Sequence, residues 1–302
     1  MSDLAIIVVN YGSSTLLARN LVAVANELPE AHVVVVDNLS SNPERHLVRG
    51  LCDAHGWTGI YPNGNTGFGG GCNLGVDQAL ARGARTILLL NPDAVIDRAS
   101  TLLLVAAASA GDAMTLAAPR VVRPDGSHWS AGSDLDLDRG DMRSWRRRHE
   151  APDARTLPWL SGACLVLDAE LWRRVGGFDE DYFLYWEDVD LSVKVTEAGG
   201  KLELVDGATA VHDEGRTHDD GHRAEAKSSI YYYYNIRNRL LFATKHLDEA
   251  DRRRWRRTAA DAAWQIIRRG GRRQLVRPGG FVGAAWRGTR DGIRGTTGPW
   301  HP

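Results

Sequence analysis

Apolar runs as long as a β-strand alternate with segments as long as a helix over the first 90 residues of the chain. Residues 4–10 and 33–36 are rich in β-branched side chains, which favour buried strands. Strands and helices that alternate in this way predict a mostly parallel sheet with helices on both faces. The predicted helices lie near 14–28 and 43–55, and a third ends near residue 82.

Polar side chains stand where the predicted strands end. Asn10, Asp37, Asn65 and Asp93 fall at or just past these ends. Ligands of open α/β sheets bind beyond the carboxyl ends of the strands. The sequence therefore predicts a ligand site at this edge.

Asn91-Pro92-Asp93 directly follows the apolar run 86–90. A nucleotide diphosphate brings negative charge into a cleft, and a hard divalent cation held by protein oxygen atoms neutralises it. Asp93 would supply a carboxylate, and the later His212 would supply a neutral imidazole. A polar turn that closes a strand, followed later by a structural histidine, explains the same residues.

Residues 186–190 place three carboxylates at the start of a predicted helix. The helix dipole favours carboxylates there, so capping is one interpretation. The other is a general base, because sugar transfer to a hydroxyl needs a carboxylate that accepts the proton. The aromatic side chains of Tyr185 and Trp186 would suit the face of a sugar ring.

The glycine-rich residues 64–71 lead into the third predicted helix. Backbone N–H groups at a helix N-terminus form a natural phosphate site, although a tight loop has the same composition. The segment follows the third strand rather than the first, so it does not match the dinucleotide fingerprint. Asp37 and Asn38 would read a base or ribose, or form an ordinary turn.

Two later segments differ in character from the first. Residues 123–158 are polar and are predicted to be a long loop or mobile lid.

The segment 252–294 holds 13 arginines against two aspartates, although the chain as a whole has a net charge of -1. Basic amphipathic helices of this kind lie on anionic membranes or meet nucleic acid. A solvated basic helix, an oligomer interface and a helical flank packed on the core remain open alternatives.

Cysteine usage and hydropathy bear on the compartment. The three cysteines show no metal-type or disulfide-type spacing, which favours a reducing cytoplasm. We recognise no signal segment, and the apolar runs are far shorter than the roughly 20 residues of a membrane-spanning helix. The expected location is cytoplasmic, with peripheral attachment to the inner face of the membrane.

Eight short segments, taken in order, resemble the family-2 glycosyltransferases with the GT-A fold, in particular their bacterial rhamnosyltransferase-like branch. The resemblance implies a catalytic domain at 1–222 and a helical, basic extension at 223–302. It also implies a divalent cation, Mg²⁺ or Mn²⁺. The matching segments are 8–11, 35–40, 65–71, 90–93, 161–164, 176–179, 183–191 and 212–217.

The resemblance also implies roles for individual residues. Asp93 and His212 would bind the metal, with Asn91 beside them, and Asp188 would be the base, next to Glu187. Cys72 departs from the pattern, since the branch usually has Asn there. The nucleotide-sugar would contact Val9, Asn10, Tyr11, Asp37, Asn38, Asn65, Gly69, Gly70, Asn73, Asn91 and Asp93. The acceptor would contact Trp159, Gly162, Tyr185 and Trp186.

The implied reaction is a single displacement with inversion at the anomeric carbon. The favoured donor is dTDP-rhamnose, with UDP-sugars open, and the favoured acceptor is a lipid-linked or cell-surface glycan. A soluble natural product is the alternative acceptor. A different class of protein, a nucleotide-binding regulatory module with a basic nucleic-acid arm, fits the tail but leaves the acidic motifs without purpose. We therefore expect no nucleic-acid partner, and a homo-oligomer stays open.

Overall fold

The computed structural model describes residues 3–213, 228–269 and 281–300. Within these ranges the strands follow one another along the chain as β1 (Leu4–Asn10), β2 (His32–Asp37), β3 (Thr58–Ile60), β4 (Thr86–Leu90), β5 (Ala94–Ile96), β6 (Thr115–Val122), β7 (His128–Ser130), β8 (Ser133–Asp136), β9 (Asp141–Ser144), β10 (Thr156–Trp159), β11 (Cys164–Asp168) and β12 (Lys201–His212).

The helices of the described ranges begin with α1 (Ser14–Leu16), which a π-helical turn at Leu17–Leu21 joins to α2 (Val22–Glu27). Short 3₁₀ turns lie at Trp145–Glu150 and Glu180–Tyr182. The remaining helices are α3 (Asn42–His55), α4 (Gly67–Ala81), α5 (Arg98–Ala108), α6 (Ala169–Val175), α7 (Glu187–Glu197), α8 (Ser229–His246), α9 (Glu249–Arg257), α10 (Ala259–Arg269) and α11 (Phe281–Arg294).

The main sheet has the strand order β3-β2-β1-β4-β11-β6-β12-β5, with β7 attached to β6. Strand β1 runs parallel to both of its neighbours, while β11 runs antiparallel to β4 and β5 runs antiparallel to β12. Alternate residues of β1 enter two hydrophobic cores, one on each face, because side chains alternate along a strand. The predicted α/β fold with a mixed, mostly parallel sheet is confirmed.

Local signals account for the helix ends that the sequence indicated. The Ser41 side chain accepts a hydrogen bond from the Glu44 N–H at the start of α3, and Gly56 ends that helix in the left-handed conformation. Asp168 and Gly176 cap α6 in the same two ways. The sequence predicts these helices near 43–55 and 169–175, and the caps explain why both occur there.

The prediction of a long loop at 123–158 is wrong, because the segment contains β7 to β10 and a 3₁₀ turn. Strands β10, β8 and β9 form a separate antiparallel sheet. Two buried aspartates of β8, Asp134 and Asp136, pair with Arg148 and Arg143 at 2.7 Å. Charged residues thus occupy buried positions, and this hid the strand pattern in the sequence.

Residues 94–122 also contain structure that the sequence did not indicate, namely β5, α5 and β6. The sequence also predicts two strands, near 201–205 and 209–212, and in the structure they form one strand, β12. Its pairing with β6 shifts register between Leu204 and Thr209, and this irregularity explains the apparent interruption.

The helices after residue 228 pack on the rest of the protein. Trp255 of α9 is fully buried in a cluster with Trp186 and Phe242. Apolar tail residues that are interspersed with arginines in the sequence, and would form the apolar side of an amphipathic helix, are therefore mostly core, as in the alternative of a packed flank. The boundary expected between 222 and 223 lies outside the described residues. The buried tail residues are Trp255, Ala259, Ala263 and Ile267.

Two tryptophans of the tail do face solvent, Trp264 with 51% of its surface exposed and Trp286 with 61%. They lie on α10 and α11, which contact each other and α8. No helix in the described part of the chain is both long and apolar enough to cross a bilayer.

Candidate active site

The pairing of β5 with β12 places Asp93 beside His212. His212 pairs with Ala94, and the N–H of Asp213 donates to the carbonyl oxygen of Asp93 at 3.1 Å. Asp93 Oδ1 and His212 Nε2 consequently lie 3.1 Å apart, and both side chains are largely buried. The strand register alone brings together two residues that are far apart in sequence.

The side chains at this point fit a divalent cation. Two cis ligands on an octahedral ion with bonds of about 2.1 Å are about 3 Å apart, close to the separation of the Asp93 and His212 atoms. Asn91 Oδ1 and His212 Nδ1 are buried and have no hydrogen-bond partner in the described ranges. Within the described residues, no cluster of three or more His, Cys, Asp or Glu side chains could hold a metal. The protein thus offers two such ligands and the Asn91 oxygen, and a bound diphosphate would have to supply others.

Asn20 supports the turn that carries Asp93, a role that the sequence did not indicate. It lies in the π-helical turn between α1 and α2, and its side-chain amide donates to the carbonyl oxygen of Pro92 at 3.0 Å. Widened turns of this kind often occur beside functional sites. The π-helical turn thus places the buried Asn20 amide against the turn that carries Asp93.

Asp37 is fully buried, and both of its carboxylate oxygens are bonded. Asn10 Nδ2 donates to Oδ1 at 3.0 Å, and Arg45 Nε donates to Oδ2 at 2.7 Å. A second guanidinium nitrogen of Arg45 bonds the carbonyl oxygens of Asp37 and Pro62. In this arrangement Asp37 ties together the ends of β1 and β2 and the start of α3. Among the residues expected around the nucleotide, Tyr11 is exposed and Val9 is buried.

Asn38 organises the start of α4. Its side chain donates to the Gly67 carbonyl oxygen at 2.7 Å and accepts from the N–H and hydroxyl of Thr66. The Asn65 side chain accepts from the Gly67 N–H at 2.8 Å. The Asn73 side chain bonds both the N–H and the carbonyl of Phe178. These asparagines hold backbone, and their contact with a nucleotide-sugar stays a prediction.

The glycines of α4 allow close packing. A Cβ at Gly69 would lie 2.9 Å from Phe178 Cβ, and one at Gly70 would lie 3.2 Å from Thr66 Cβ. Gly67 has φ +78°, and a Cβ there would lie 2.2 Å from the Phe183 carbonyl oxygen. The glycine-rich segment is therefore required by the fold, whether or not it also meets phosphate.

Asp188 is held at the start of α7 with both carboxylate oxygens oriented. Oδ2 accepts from the Gly162 N–H at 3.0 Å, and Oδ1 accepts from the Val189 N–H at 2.9 Å. Burial raises the pKa of Asp188 to about 6, although these two N–H groups oppose the shift. A carboxylate with such a pKa is still ionised at neutral pH and is a stronger base than an ordinary aspartate.

Glu187 differs from its neighbour. It is buried, and Oε2 has no hydrogen-bond partner among the described residues. Burial, and then the charge of Asp188, raise the pKa of Glu187 well above its usual value. Burial thus disfavours the ionised form of Glu187, while the Gly162 and Val189 N–H groups favour the ionised form of Asp188. Burial, and then Glu187, also raise the pKa of the Cys72 thiol on α4.

The residues expected to meet the acceptor are not equally available. Tyr185 has 36% of its surface exposed, whereas Trp186 has 5% and packs against Phe242 in the core. Trp159 is half-buried on β10, and its indole N–H is a buried group without a partner among the described residues. Gly162 contacts Asp188 directly. Of the two neighbouring aromatic residues, Tyr185 therefore faces solvent and Trp186 belongs to the core.

A model of the glycosyltransferase-like family 2 matches residues 2–260 of the chain. The protein is a family-2 glycosyltransferase. The N-acetylglucosaminyl-diphospho-decaprenol L-rhamnosyltransferase of Mycobacterium tuberculosis is 29% identical over 273 residues, covering 77% of this chain and 84% of that protein. The match to the family model runs past the domain boundary expected at residue 222.

Two solved structures share the fold of this glycosyltransferase. GalNAc-T7, crystallised with UDP, GalNAc and Mn²⁺, has a TM-score of 0.62 and 16% identity, over 82% of this chain and 48% of that one. The mannosyltransferase PcManGT of Pyrobaculum calidifontis, in complex with GDP-Man and Mn²⁺, has a TM-score of 0.54 and 16% identity. The match covers 97% of this chain and 85% of PcManGT. Both are nucleotide-sugar transferases, and the GT-A fold expected from the sequence is confirmed.

The loop that leads into α7 has an unusual backbone. Phe183, Tyr185 and Trp186 all have positive φ, at 62°, 64° and 76°. Each such bulky residue costs about 1–3 kcal/mol, so surrounding contacts must hold the loop. The Phe68 N–H donates to the Phe183 carbonyl oxygen at 2.8 Å, which joins the loop to α4.

Most of the holding contacts come from α8. The Asn238 side-chain amide donates to the carbonyl oxygens of Tyr182, Leu184 and Tyr185 at 2.7–3.0 Å. The buried Arg237 guanidinium donates to Tyr182 at 2.6 Å and also to Asp181. We call these contacts the α8 clamp. The sequence signal was a run of polar residues in a helix-length apolar segment, but only the structure gives it a role.

Replacing Asn238 by alanine should therefore damage catalysis and stability together. The Leu184 and Tyr185 carbonyl groups would lose the Asn238 donor, while that of Tyr182 keeps Arg237, at a cost on the order of 3 kcal/mol in the free energy of unfolding. The shifted loop would misplace Asp188 and lower kcat by about 10–100-fold. Urea unfolding and steady-state kinetics measure both effects. The control is Asn235→Ala, because among the described residues the Asn235 side chain donates to the Tyr231 carbonyl oxygen of its own helix and not to the loop. Equal effects of the two substitutions would contradict the clamp.

The base assignment predicts a pH profile. Asp188 must be ionised to accept a proton, so kcat/KM should fall as the pH drops through about 6 rather than through about 4. Asp188→Asn should keep donor binding and lose transfer. Activity measured from pH 5 to 8 and calorimetric titration of the donor test these two statements. Near wild-type turnover by Asp188→Asn would show that another group is the base.

Proposed function

We propose that this glycosyltransferase moves rhamnose from dTDP-rhamnose to a hydroxyl of a lipid-linked glycan acceptor, with inversion at the anomeric carbon. The name of the mycobacterial relative, which aligns over most of both chains, supports rhamnose as the transferred sugar and a lipid-linked acceptor. The observation that carries the chemistry is one oriented, ionised carboxylate, Asp188, beside a site suited to a nucleotide diphosphate.

Asp188 accepts the proton of the acceptor hydroxyl while that oxygen attacks the anomeric carbon. The Gly162 and Val189 N–H groups fix the carboxylate, so little reorganisation precedes the proton transfer. A single ionised base suits direct displacement. Burial favours the protonated form of Glu187, so Asp188 is the residue that we assign as the base.

Asp93, His212 and Asn91 are the residues that would hold a divalent cation, Mg²⁺ or Mn²⁺. When bound, the cation neutralises charge on the departing diphosphate. The Asn20 amide holds the turn that carries Asn91 and Asp93, and the pairing of β12 with β5 places His212 beside that turn. The structures of GalNAc-T7 and PcManGT both contain Mn²⁺, which supports a divalent cation in this site.

Release of dTDP from dTDP-rhamnose, on addition of a polyprenyl-diphosphate-linked N-acetylglucosamine, tests the proposal. We expect release to need Mg²⁺ or Mn²⁺ and to fall sharply in Asp93→Ala and His212→Ala. Thermal-shift titration should show that dTDP-rhamnose stabilises the wild type more than UDP-sugars do, because ligand that binds the native state raises Tm. The control is Asp97→Ala, which removes the aspartate that caps the N-terminus of α5. Turnover of a UDP-sugar but not dTDP-rhamnose would overturn the donor assignment.

We also propose that the exposed side of α10 and α11 rests on an anionic membrane, where a lipid-linked acceptor is found. Val282, Trp286 and Ile293 share the exposed side of α11 with arginines, and Trp264 is exposed on α10. The Arg290 guanidinium lies over the Trp286 ring while pairing with Asp291. Tryptophan and arginine together are typical of helices that lie in a membrane surface.

Flotation with vesicles tests this attachment. The full-length protein should float with vesicles that contain phosphatidylglycerol and much less with phosphatidylcholine alone. The double substitution Trp264→Ser and Trp286→Ser should reduce the bound fraction severalfold. Leu47→Ser, which changes an exposed apolar residue on α3, should not. Equal binding by both variants, or none by the wild type, would rule out the proposed surface.

A further inference from the structure

A cavity of about 480 Å³ lies beside the metal-binding pair and is not used by the groups described above. Strand β7 and the 3₁₀ turn that follows β9 form much of its wall. His128, Trp129 and Ser130 come from β7, and Arg146 and Arg147 come from the turn. The Trp129 ring lies 4.5 Å from the His212 ring, centroid to centroid, which places one wall next to a predicted metal ligand.

The other side of the cavity leads toward the base. Ser133 lines the cavity and pairs with Trp159 across β8 and β10. The turn after β10 carries Gly162, whose N–H holds Asp188. The cavity is therefore built from strands that connect directly to both the metal-binding pair and the base.

Within the described part of the chain, several positively charged side chains surround the cavity. Among the described residues, neither Arg120 nor Arg146 pairs with a carboxylate, while Arg147 is bonded to Glu150. His128 Nε2 is buried without a partner in that same set. Burial, and then the charge of Arg146, lower the pKa of His128, with smaller effects from Arg120 and Arg123. An anion would satisfy the unpaired charges and the imidazole nitrogen together.

We propose that this cavity binds the diphosphate group of the acceptor, with Arg146 and His128 as its main contacts. This inference rests on the proposed function, since only a diphosphate-linked acceptor carries such a group. Guanidinium and imidazole groups recognise phosphate oxygens well, and the hydroxyls of Ser130 and Ser144 offer further donors. Trp129 separates the cavity from His212, so donor and acceptor diphosphates would lie on opposite sides of one indole ring.

Binding of farnesyl diphosphate, a short polyprenyl diphosphate, tests the site without catalysis. Calorimetric titration uses full-length protein saturated with dTDP and Mg²⁺, so that the donor site is filled. We expect saturable binding that weakens about tenfold or more in Arg146→Glu, a loss of about 1.4 kcal/mol or more. Arg146→Gln should show a smaller loss. Arg174→Glu makes the same charge change at an exposed position of α6 and should bind normally.

Kinetics separate the acceptor from the donor. Arg146→Glu should raise KM for a polyprenyl-diphosphate-linked sugar about tenfold and leave KM for an alkyl glycoside of the same sugar unchanged. Its affinity for dTDP should not change. Weaker dTDP binding would place the cluster at the donor instead and overturn the inference. Absence of farnesyl diphosphate binding by the wild type would also overturn it, even when dTDP release continues to support the proposed function.

Discussion

Three backbone carbonyl groups converge on one side-chain amide, that of Asn238, and the active site depends on this contact. The loop they belong to has positive φ at Phe183, Tyr185 and Trp186, a conformation that such residues do not adopt unaided. By holding it, the α8 clamp fixes both the start of α7, with Asp188, and the N-terminus of α4. The helix that follows the sheet domain in sequence is thus part of the catalytic framework.

The two chemical halves of the site are positioned by different means and joined by one turn. The register of β5 with β12 sets Asp93 and His212, while the α8 clamp sets Asp188. The turn between β10 and β11 contacts both halves. Its Gly162 N–H donates to Asp188, and its Ala163 carbonyl oxygen accepts from the Asn91 N–H at 3.0 Å. This turn therefore fixes the distance between base and metal-binding residues.

Sequence patterns located several strands and helices that are apolar on their buried faces, but they missed β5, α5 and β6, and they also failed where charge is buried. Strand β8 carries Asp134 and Asp136 inward because arginines from β9 and the 3₁₀ turn neutralise them. In the basic tail the sequence pattern did not separate buried from exposed residues. Trp255 and Ile267 pack inside, while Trp264 and Trp286 are exposed. In both segments long-range partners decide whether a side chain is buried.

The sequence by itself determined the α/β sheet and the strand-end and helix-start positions of Asp93, His212 and Asp188. These follow from periodicity and chain order, which are local properties. Only the tertiary structure decided that the Asp37 carboxylate is taken by Asn10 and Arg45, and that Trp186 is core while Tyr185 is exposed. It also decided that Asn238 governs the loop before the base. Hydrogen-bond partners and burial depend on residues far apart in the chain, so no local pattern contains them.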